Sequence, residues 1–464
     1  MVNLVVVLAA LLLLMFVAYR GYSVIIFAPL IAMLAVLCTD AAAVAPLFSG
    51  VFMERVAGFL KLYFPVFLLG AVFGKVIELS GFSQVIAGAV IRFVGESRAI
   101  LAIVMVCALL TYGGVSLFVV VFAVYPFAAA VFRRGNIPKR LIPGTIALGA
   151  FSFTMDALPG TPQIQNIIPT AFFGTNAWAA PWLGIIGSAF ILVGGLAYLE
   201  SRRRAAALNG EGYGTGHVNE PEAIVADARN GVLVAVLPLI VVGVVNLMLT
   251  RAIPAWTGEI MTTSLPGLAQ PIVTQVSGLA AVWAVQGALL CGIGTVLLLA
   301  FRTVARRFIE GSKVAVGGAL LAALNTASEY GFGAIIAALP GFLLVKQALM
   351  TIPDPLVNEA VTVTTLAAIT GSASGGLSIA LAAMADQFMS AAQLAGIPPE
   401  VLHRVASMAS GGMDTLPHNG AVITLLAVTG LTHRQSYRDV FAITCIKTAT
   451  VFVVIAVYYL TGIV

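Results

Sequence analysis

Long, almost uninterrupted apolar runs restrict the fold of this sequence more than any other feature. The stretches Leu4 to Ala18, Gly184 to Leu199 and Val232 to Leu249 are apolar nearly throughout. Runs approaching about 20 residues are long enough to cross the hydrocarbon core of a bilayer as an α-helix. Charged residues make up only 9% of the 464, against about 25% in soluble domains. The sequence therefore excludes a water-soluble fold and predicts an all-α polytopic membrane protein.

Neither a targeting peptide nor a metal-ligand motif is predicted. The first apolar run lacks a positive leader and a small-residue cleavage site, so we expect an uncleaved first span. The cysteines are scattered singly and predict no metal site or other bound cofactor. They are Cys38, Cys107, Cys291 and Cys445.

The ionisable residues concentrate between the apolar runs. Segment 201–230 is polar and begins with Arg202, Arg203 and Arg204, which predicts a cytoplasmic linker by the positive-inside rule. The net charge of +5 is therefore typical of membrane orientation, and we expect no nucleic-acid partner.

Keeping the basic loops on the cytoplasmic side requires about ten spans. We place them at 2–19, 22–39, 62–80, 140–173, 178–200, 231–250, 272–300, 314–338, 400–431 and 437–462. Two apolar stretches remain, 98–132 and 355–396. Each of these stretches has to enter and leave the membrane on the same side if the basic loops are to stay cytoplasmic, so we interpret both as re-entrant hairpins. Such backbone is tolerated at membrane depth only where it is buried in protein or lines a wet cavity.

Four short motifs recur in the same order in the two halves of the chain. They are GGVS (113–116) with GGLS (375–378), NIPKR (136–140) with GIPPE (396–400), FTMDALPGTPQ (153–163) with GGMDTLPHNGA (411–421), and SGF (80–82) with YGF (330–332). The predicted topology gives the halves, 1–200 and 231–464, opposite orientations. Inverted repeats with interrupted helices, here 140–173 and 400–431, are typical of secondary carriers.

Each interrupted span contains an aspartate. Asp156 and Asp414 stand beside prolines and glycines that break a helix. A carboxylate near the bilayer centre is costly unless it is paired, protonated or hydrated, so both are candidate proton-coupling residues. The alternative is that each caps the half-helix after its break.

Two further ionisable residues are candidates for proton coupling. His418 lies four residues after Asp414, and the two side chains can share a proton; the alternative is a fixed hydrogen bond from His418 to substrate. Glu329 lies in an otherwise apolar span, where the alternative is an interhelical hydrogen bond. We expect Asp386 to be structural or solvated.

The two hairpin tips are rich in glycine and hydroxyl residues, which allow close backbone approach and add donors. The alternative is small-residue helix packing.

No Lys or Arg lies in the two breaks, so an anionic substrate would bind half-helix N-termini, hydroxyls, amides and a protonated His418. Two aspartates leave a cationic substrate open. The predicted substrate-binding residues are Thr111, Tyr112, Gly113, Gly114, Ser116, Thr161, Gln163, Thr370, Gly371, Ser372, Ser374, Gly375, Gly376, Gly412 and Asn419.

The stretches ALPGTPQIQNIIPTAFFGT (157–175) and GGMDTLPHNGAVITLLAVTGLTH (411–433) resemble the gluconate permease family of the ion transporter superfamily. The resemblance extends over essentially the whole chain. It implies a carrier in the bacterial cytoplasmic membrane for a small organic anion such as gluconate or 3-hydroxybutyrate, coupled to protons or possibly to sodium. It also implies a homodimer with a scaffold domain and a moving transport domain that work as an elevator. The site would be formed by 111–116, 370–376, 154–163 and 410–420.

Several functions are compatible with the sequence. The main hypothesis is proton-coupled symport of a small hydroxy-monocarboxylate. A sodium-coupled or metal–citrate carrier is the alternative within transport. An intramembrane enzyme would also place Asp and His deep in a membrane, but the sequence has no nucleophilic serine motif with a distant histidine. A channel fits the opposed hairpins less well.

Overall fold

The computed structural model describes residues 2–20, 22–95, 98–115, 117–221, 231–267, 270–276, 279–349, 351–417 and 419–464. The helices are α1 (Val2–Tyr19), α2 (Val24–Leu37), α3 (Val44–Leu47), α4 (Met53–Leu79), α5 (Phe82–Val94), α6 (Ala99–Tyr112), α7 (Leu117–Arg134), α8 (Ile142–Ala150), α9 (Phe153–Asp156), α10 (Ile164–Phe173), α11 (Pro181–Leu208), α12 (Val232–Thr257), α13 (Ala280–Ala305), α14 (Phe308–Ala338), α15 (Pro340–Leu349), α16 (Pro355–Thr370), α17 (Ala373–Leu394), α18 (Pro399–Gly411), α19 (Gly420–Thr429) and α20 (His433–Thr461). The strands are β1 (Ile260–Thr263) and β2 (Ile272–Gln275).

Within the described residues, six helical segments are long and apolar enough to cross a bilayer. They are Ala41–Leu79, which includes α4, together with α11, α12, α13, α14 and α20. This confirms a polytopic, nearly all-helical membrane protein. The remaining predicted spans are shorter or broken. Some helices extend beyond the predicted bounds; α14, for example, begins at Phe308 rather than at 314. Each added residue continues the backbone hydrogen-bond ladder, which favours such extension.

The predicted span 272–300 is wrong in its first part. Residues Ile272–Gln275 form β2, which pairs antiparallel with β1, and α13 begins only at Ala280. Pro266 and Gly267 lie in the connection, and a Pro-Gly pair is a strong turn signal. The all-α prediction therefore misses one short, exposed hairpin.

Each stretch interpreted as a re-entrant hairpin forms two helices joined by a tight turn. Helices α6 and α7 flank Gly113, Gly114 and Val115, and Gly114 has a φ of 95°. Helices α16 and α17 are separated by Gly371, with a φ of 67°, and by Ser372. The Ser372 hydroxyl accepts from the Gly375 amide and so caps α17. These turns place the glycine-rich tips at the ends of two apolar helix pairs.

The two interrupted spans follow the proline and glycine positions. The first consists of α8, the single turn α9 and then α10, with residues 157–163 non-helical. The second consists of α18, a 3₁₀ turn at Gly412–Thr415 and then α19. Pro159 and Pro162 remove backbone donors in the first break, and Pro417 does so in the second. The breaks leave free helix ends inside the protein, and these ends build the site described below.

The helices pack in two groups. Among the long helices, α4 packs against α14 and α13, α13 packs against α12, and α2 joins the group by contacting α14. The broken spans pack with the hairpins and the last helix: α8 contacts α6 and α20, and α18 contacts α10, α16 and α17. Helices α14 and α17 form a large contact between the two groups.

The segment 209–221, which we call the strap, is folded against the helices. It lies within the predicted linker 201–230, of which residues 201–208 belong to α11 and residues 222–230 are outside the described part. Arg140 donates from Nε and Nη2 to the two carboxylate oxygens of Glu211, at 2.6 and 2.8 Å. Lys139 Nζ lies 2.8 Å from Glu220 Oε1. The Asn219 amide donates to the carbonyl of Ala427 at 2.9 Å, so the strap joins both halves of the chain.

The strap should loosen in acid. Hydrogen bonds from Arg140 hold the pKa of Glu211 below its ordinary value. A carboxylate with a lowered folded-state pKa stabilises the fold above its unfolded pKa, and this stabilisation is lost as the pH falls through the folded pKa. The effect is modest because the Glu211 side chain is 41% exposed. We expect backbone hydrogen-exchange protection in 210–221 to fall between pH 7 and pH values below about 4. A Glu211→Gln, Glu220→Gln variant should be poorly protected at both; equal protection of the wild type at both would contradict this.

Candidate functional site

Asp414 is the centre of a buried polar cluster formed by three half-helix N-termini. Its Oδ2 accepts from Gln165 Nε2 at 2.8 Å, and its Oδ1 accepts from the Ala373 backbone N–H at 3.1 Å. Asn419 Nδ2 lies 3.3 Å from the same Oδ1. Gln165 is in the first turn of α10, Ala373 begins α17, and Asn419 caps α19. Asp414 is 7% exposed.

Asn419 fixes the second hairpin tip to the second break. Its Nδ2 donates to the Gly371 carbonyl at 2.8 Å, and its Oδ1 accepts from the Ala421 amide at 2.7 Å. The two contacts together fix the orientation of the side-chain amide. Thr370 takes part in the same turn, because its hydroxyl accepts from the Ser372 N–H at 3.3 Å. The second tip therefore contacts the Asp414 cluster through the Ala373 N–H, which donates to Asp414, and the Gly371 carbonyl, which accepts from Asn419.

The first hairpin tip meets the first break instead. Gln163 Nε2 donates to the Thr111 carbonyl at 2.7 Å, and the Tyr112 hydroxyl donates to the Pro159 carbonyl at 2.9 Å. Thr161 closes the break by donating to the Thr154 carbonyl at 2.8 Å. In the described part of the chain, the hydrogen bond from Gln165 to Asp414 connects this first half to the Asp414 cluster.

Several of the predicted site glycines are explained by close approach. A Cβ at Gly375 would overlap Glu329 Oε2, and a Cβ at Gly376 would overlap the Ala367 backbone. A Cβ at Gly412 would lie 2.6 Å from the Thr448 hydroxyl. At the first tip, Gly113 faces Leu239, and Gly114 lies against Leu289 and Pro162. These glycines allow the tips and the second break to pack closely against neighbouring helices. This is the role in small-residue helix packing that the sequence offered as the alternative to substrate binding.

Glu329 contacts the second hairpin from α14. It is 3% exposed, and its Oε2 has no hydrogen-bond partner among the described residues. One turn earlier, the Thr326 hydroxyl lies 3.2 Å from that of Ser374. The side chain therefore lies between the two helix groups, beside the tip that contacts Asp414.

Asp156 forms a buried ion pair with Lys447 of α20. Lys447 Nζ lies 3.3 Å from Asp156 Oδ2, and each side chain is 1% exposed. Among the described residues no backbone N–H donates to the Asp156 carboxylate. The capping alternative is therefore wrong for Asp156. Asp414 does accept a helix N-terminal amide, but from α17 rather than from the helix that follows its own break.

Arg404 is a second buried cation beside Asp156. Its Nη1 donates to the Asp156 carbonyl at 2.9 Å and to Asn166 Oδ1 at 3.1 Å, and its Nη2 donates to the Ala179 carbonyl at 2.7 Å. Ser407 donates to the same Asp156 carbonyl at 2.8 Å. Arg404 thus supplies partners for backbone acceptors that the first break releases.

Lys447, Arg404 and Gln165 were not predicted from the sequence as residues of the site. The breaks themselves contain no Lys or Arg, as noted, but α18 and α20 bring two cations to the first break. A signal was available, because any ionisable residue inside a predicted span is a functional candidate. Ser116 and His418 lie outside the described residues, so their predicted roles stay predictions. Asp386 is exposed.

The fold places the chain in the class of polytopic membrane proteins. It is similar to the crystal structure of the YdaH transporter of Alcanivorax borkumensis, with 17% identity, 91% of this chain and 90% of that chain covered, and a TM-score of 0.50. It is also similar to the structure of Neisseria gonorrhoeae MtrF, described with a class of antimetabolite efflux pumps, with 14% identity, 90% and 85% coverage, and a TM-score of 0.57. Both likenesses concern the fold.

A curated relative identifies the family. The chain is 60% identical over 471 residues to the uncharacterized transporter YxjC of Bacillus subtilis, with 100% of both proteins covered. The chain therefore belongs to the family of the uncharacterized transporter YxjC. No protein-family profile matches it, and the resemblance to gluconate permeases stays a prediction.

Proposed function

We propose that this transporter is a proton-coupled symporter of a small hydroxy-monocarboxylate, of the 3-hydroxybutyrate or gluconate class. The observation that carries the proposal is the set of donors on Asp414. A backbone N–H at a helix N-terminus and two side-chain amides surround one carboxylate. Such neutral donors, with helix dipoles directed at them, bind carboxylates without a formal cation.

The same donors suggest how proton and anion are coupled. A charged Asp414 occupies the amides of Gln165 and Asn419 and the N–H of Ala373. A proton on Asp414 removes its negative charge and weakens these hydrogen bonds, because charged acceptors bind more strongly than neutral ones. The donors then become available to a substrate carboxylate. Proton and anion together leave the site with the net charge that it had before, which lowers the cost of moving the loaded site through a membrane.

A buried acceptor beside the donors favours a hydroxy acid. Gln165 Oε1 has no hydrogen-bond partner among the described residues, although Gln165 is only 3% exposed. A buried polar atom without a partner is unfavourable. A substrate hydroxyl can donate to this oxygen while the substrate carboxylate takes the neighbouring donors. A carboxylate without a hydroxyl would leave the oxygen unsatisfied.

We also propose an elevator mechanism in a homodimer of the bacterial cytoplasmic membrane. The helix packing supports a division into a scaffold of α2, α4, α12, α13 and α14 and a transport unit that contains the hairpins and breaks. Small residues at the α14–α17 contact, such as Gly333 and Gly375, let the two units approach closely, as is common between membrane helices.

Uptake into proteoliposomes tests the function. We expect counterflow of labelled 3-hydroxybutyrate or gluconate, and accumulation of that substrate with an inward proton gradient at equal sodium on both sides. Accumulation with a sodium gradient alone would instead favour the sodium-coupled carrier. No exchange of any hydroxy acid, together with ohmic currents, would eliminate the carrier hypothesis. Acetate and butyrate, which lack the hydroxyl, should compete more weakly than their hydroxy analogues.

A further inference from the structure

The Lys447 ammonium lies where the two interrupted spans end. Its Nζ donates to the Phe151 carbonyl at 2.6 Å and to the Gly411 carbonyl, and lies 3.3 Å from Asp156 Oδ2. Phe151 directly follows the last residue of α8 and caps it, and Gly411 is the last residue of α18. Two carbonyl oxygens accept hydrogen bonds from the ammonium, and one carboxylate oxygen lies within ion-pair distance of it.

This set of oxygens has the chemistry of a cation site. The last carbonyls of a helix lack intrahelical partners, and the C-terminal end of the helix dipole is negative. Two such ends and one carboxylate converge on Nζ. Carbonyl and carboxylate oxygens are the ligands that hard metal cations take in proteins, and half-helix C-terminal ends coordinate cations in carriers with broken helices.

The two breaks pack closely together at the Lys447 ammonium. A Cβ at Gly411 would overlap the Asp156 carboxylate, so only glycine lets the end of α18 approach the first break this closely. Lys447 is 1% exposed, and Thr448, the next residue of α20, lies against Gly412. The ammonium is thus enclosed by both halves of the chain, and it is part of the packing of the two breaks.

We propose that the two helix breaks form a monovalent-cation site that the chain fills with its own Lys447 ammonium. When the side chain is shortened, the site takes an alkali cation, Na⁺ or K⁺, in place of the ammonium. The intact protein therefore needs no bound metal ion to hold the two breaks together. This inference concerns ion binding to the folded protein and does not rest on the identity of the transported substrate.

Thermal unfolding of the purified full-length protein in detergent tests the site. Lys447→Ala is melted in NaCl, KCl and choline chloride at one ionic strength, and its apparent melting temperature is compared with that of the wild type. A ligand that binds only the folded state stabilises it in a saturable way. We expect the variant to gain roughly 3 °C in one of the alkali chlorides over choline chloride, and the wild type to show no difference among the three salts. The identity of the active salt distinguishes Na⁺ from K⁺.

Two further variants keep the test decisive. Asp156→Asn with Lys447→Met removes both charges and should melt alike in all three salts. Lys139→Ala removes another buried ammonium, which lies between Glu220 and the Val218 carbonyl outside the breaks, and should show no ion preference. If Lys447→Ala is recovered folded only from a sodium or potassium buffer, the proposal is supported. If it melts alike in all salts, or fails to fold in every salt while the double variant folds, the proposal is wrong.

Discussion

Replacing Asp414 with asparagine is expected to uncouple transport from the pH gradient while substrate exchange continues. Asparagine cannot take up the coupling proton, and its neutral carboxamide leaves the surrounding donors available to the substrate, as protonated Asp414 would. With one proton per anion, an inward gradient of one pH unit supports about tenfold accumulation, since about 1.4 kcal/mol corresponds to a factor of ten. The Asp414→Asn variant should accumulate no substrate above the external concentration, yet should still show counterflow.

A matched change on the same hairpin separates coupling from damage. Asp386→Asn makes the same chemical substitution at an exposed position of α17 and should retain full proton-driven accumulation. Counterflow by Asp414→Asn that is independent of pH would support the assignment. If the variant still accumulates substrate about tenfold under the same gradient, Asp414 is not the coupling residue, and Glu329 and His418 become the candidates to replace next.

Asp156→Asn is expected to destabilise the protein by about 3–5 kcal/mol, because it leaves the buried Lys447 ammonium without its carboxylate. Breaking one partner of a buried pair costs far more than replacing both, since the remaining charge stays desolvated. The measurement is the free energy of unfolding in detergent micelles, or the half-life of the folded fraction at a fixed temperature.

The double variant Asp156→Asn with Lys447→Met should recover most of this loss, since it removes the buried carboxylate and the buried ammonium of the pair together. A double-mutant cycle would then give a coupling energy of the order of 2–3 kcal/mol or more. If the loss in the double variant equals the sum of the losses in Asp156→Asn and Lys447→Met measured singly, the two residues contribute independently and the ion pair does not stabilise the fold.

The interruptions were predictable because their cause is local. Pro159, Gly160 and Pro162 remove or weaken helix hydrogen bonds wherever the chain folds, and the same holds for Pro417. A local pattern of glycine and hydroxyl residues also indicated the two tips. The prediction of a helix over the first part of 272–300 was wrong because a short apolar run is compatible with either a strand or a helix. Only the turn residues Pro266 and Gly267 favoured the strand.

The partners across the breaks were not predictable from sequence. Lys447 is 291 residues from Asp156, and no periodicity connects α20 with α9. The same is true of Gln165 and Asp414, which lie 249 residues apart. The repeat placed an aspartate at equivalent positions of the two breaks and gave no sign that their partners differ. The structure instead gives Asp414 amide donors, and Asp156 a lysine and an arginine.

These crossed contacts have a consequence for how the protein is made. Three charged residues in the first 202 have partners on α20: Asp156 pairs with Lys447, and Arg140 and Arg202 share Asp439, at 3.0 and 2.9 Å. The ribosome synthesises all of α12 to α19 before these partners exist. A nascent chain therefore lacks the ammonium partner of Asp156 until α20 enters the membrane. Insertion of α20 supplies that partner, and chains truncated before it should be recognised and degraded.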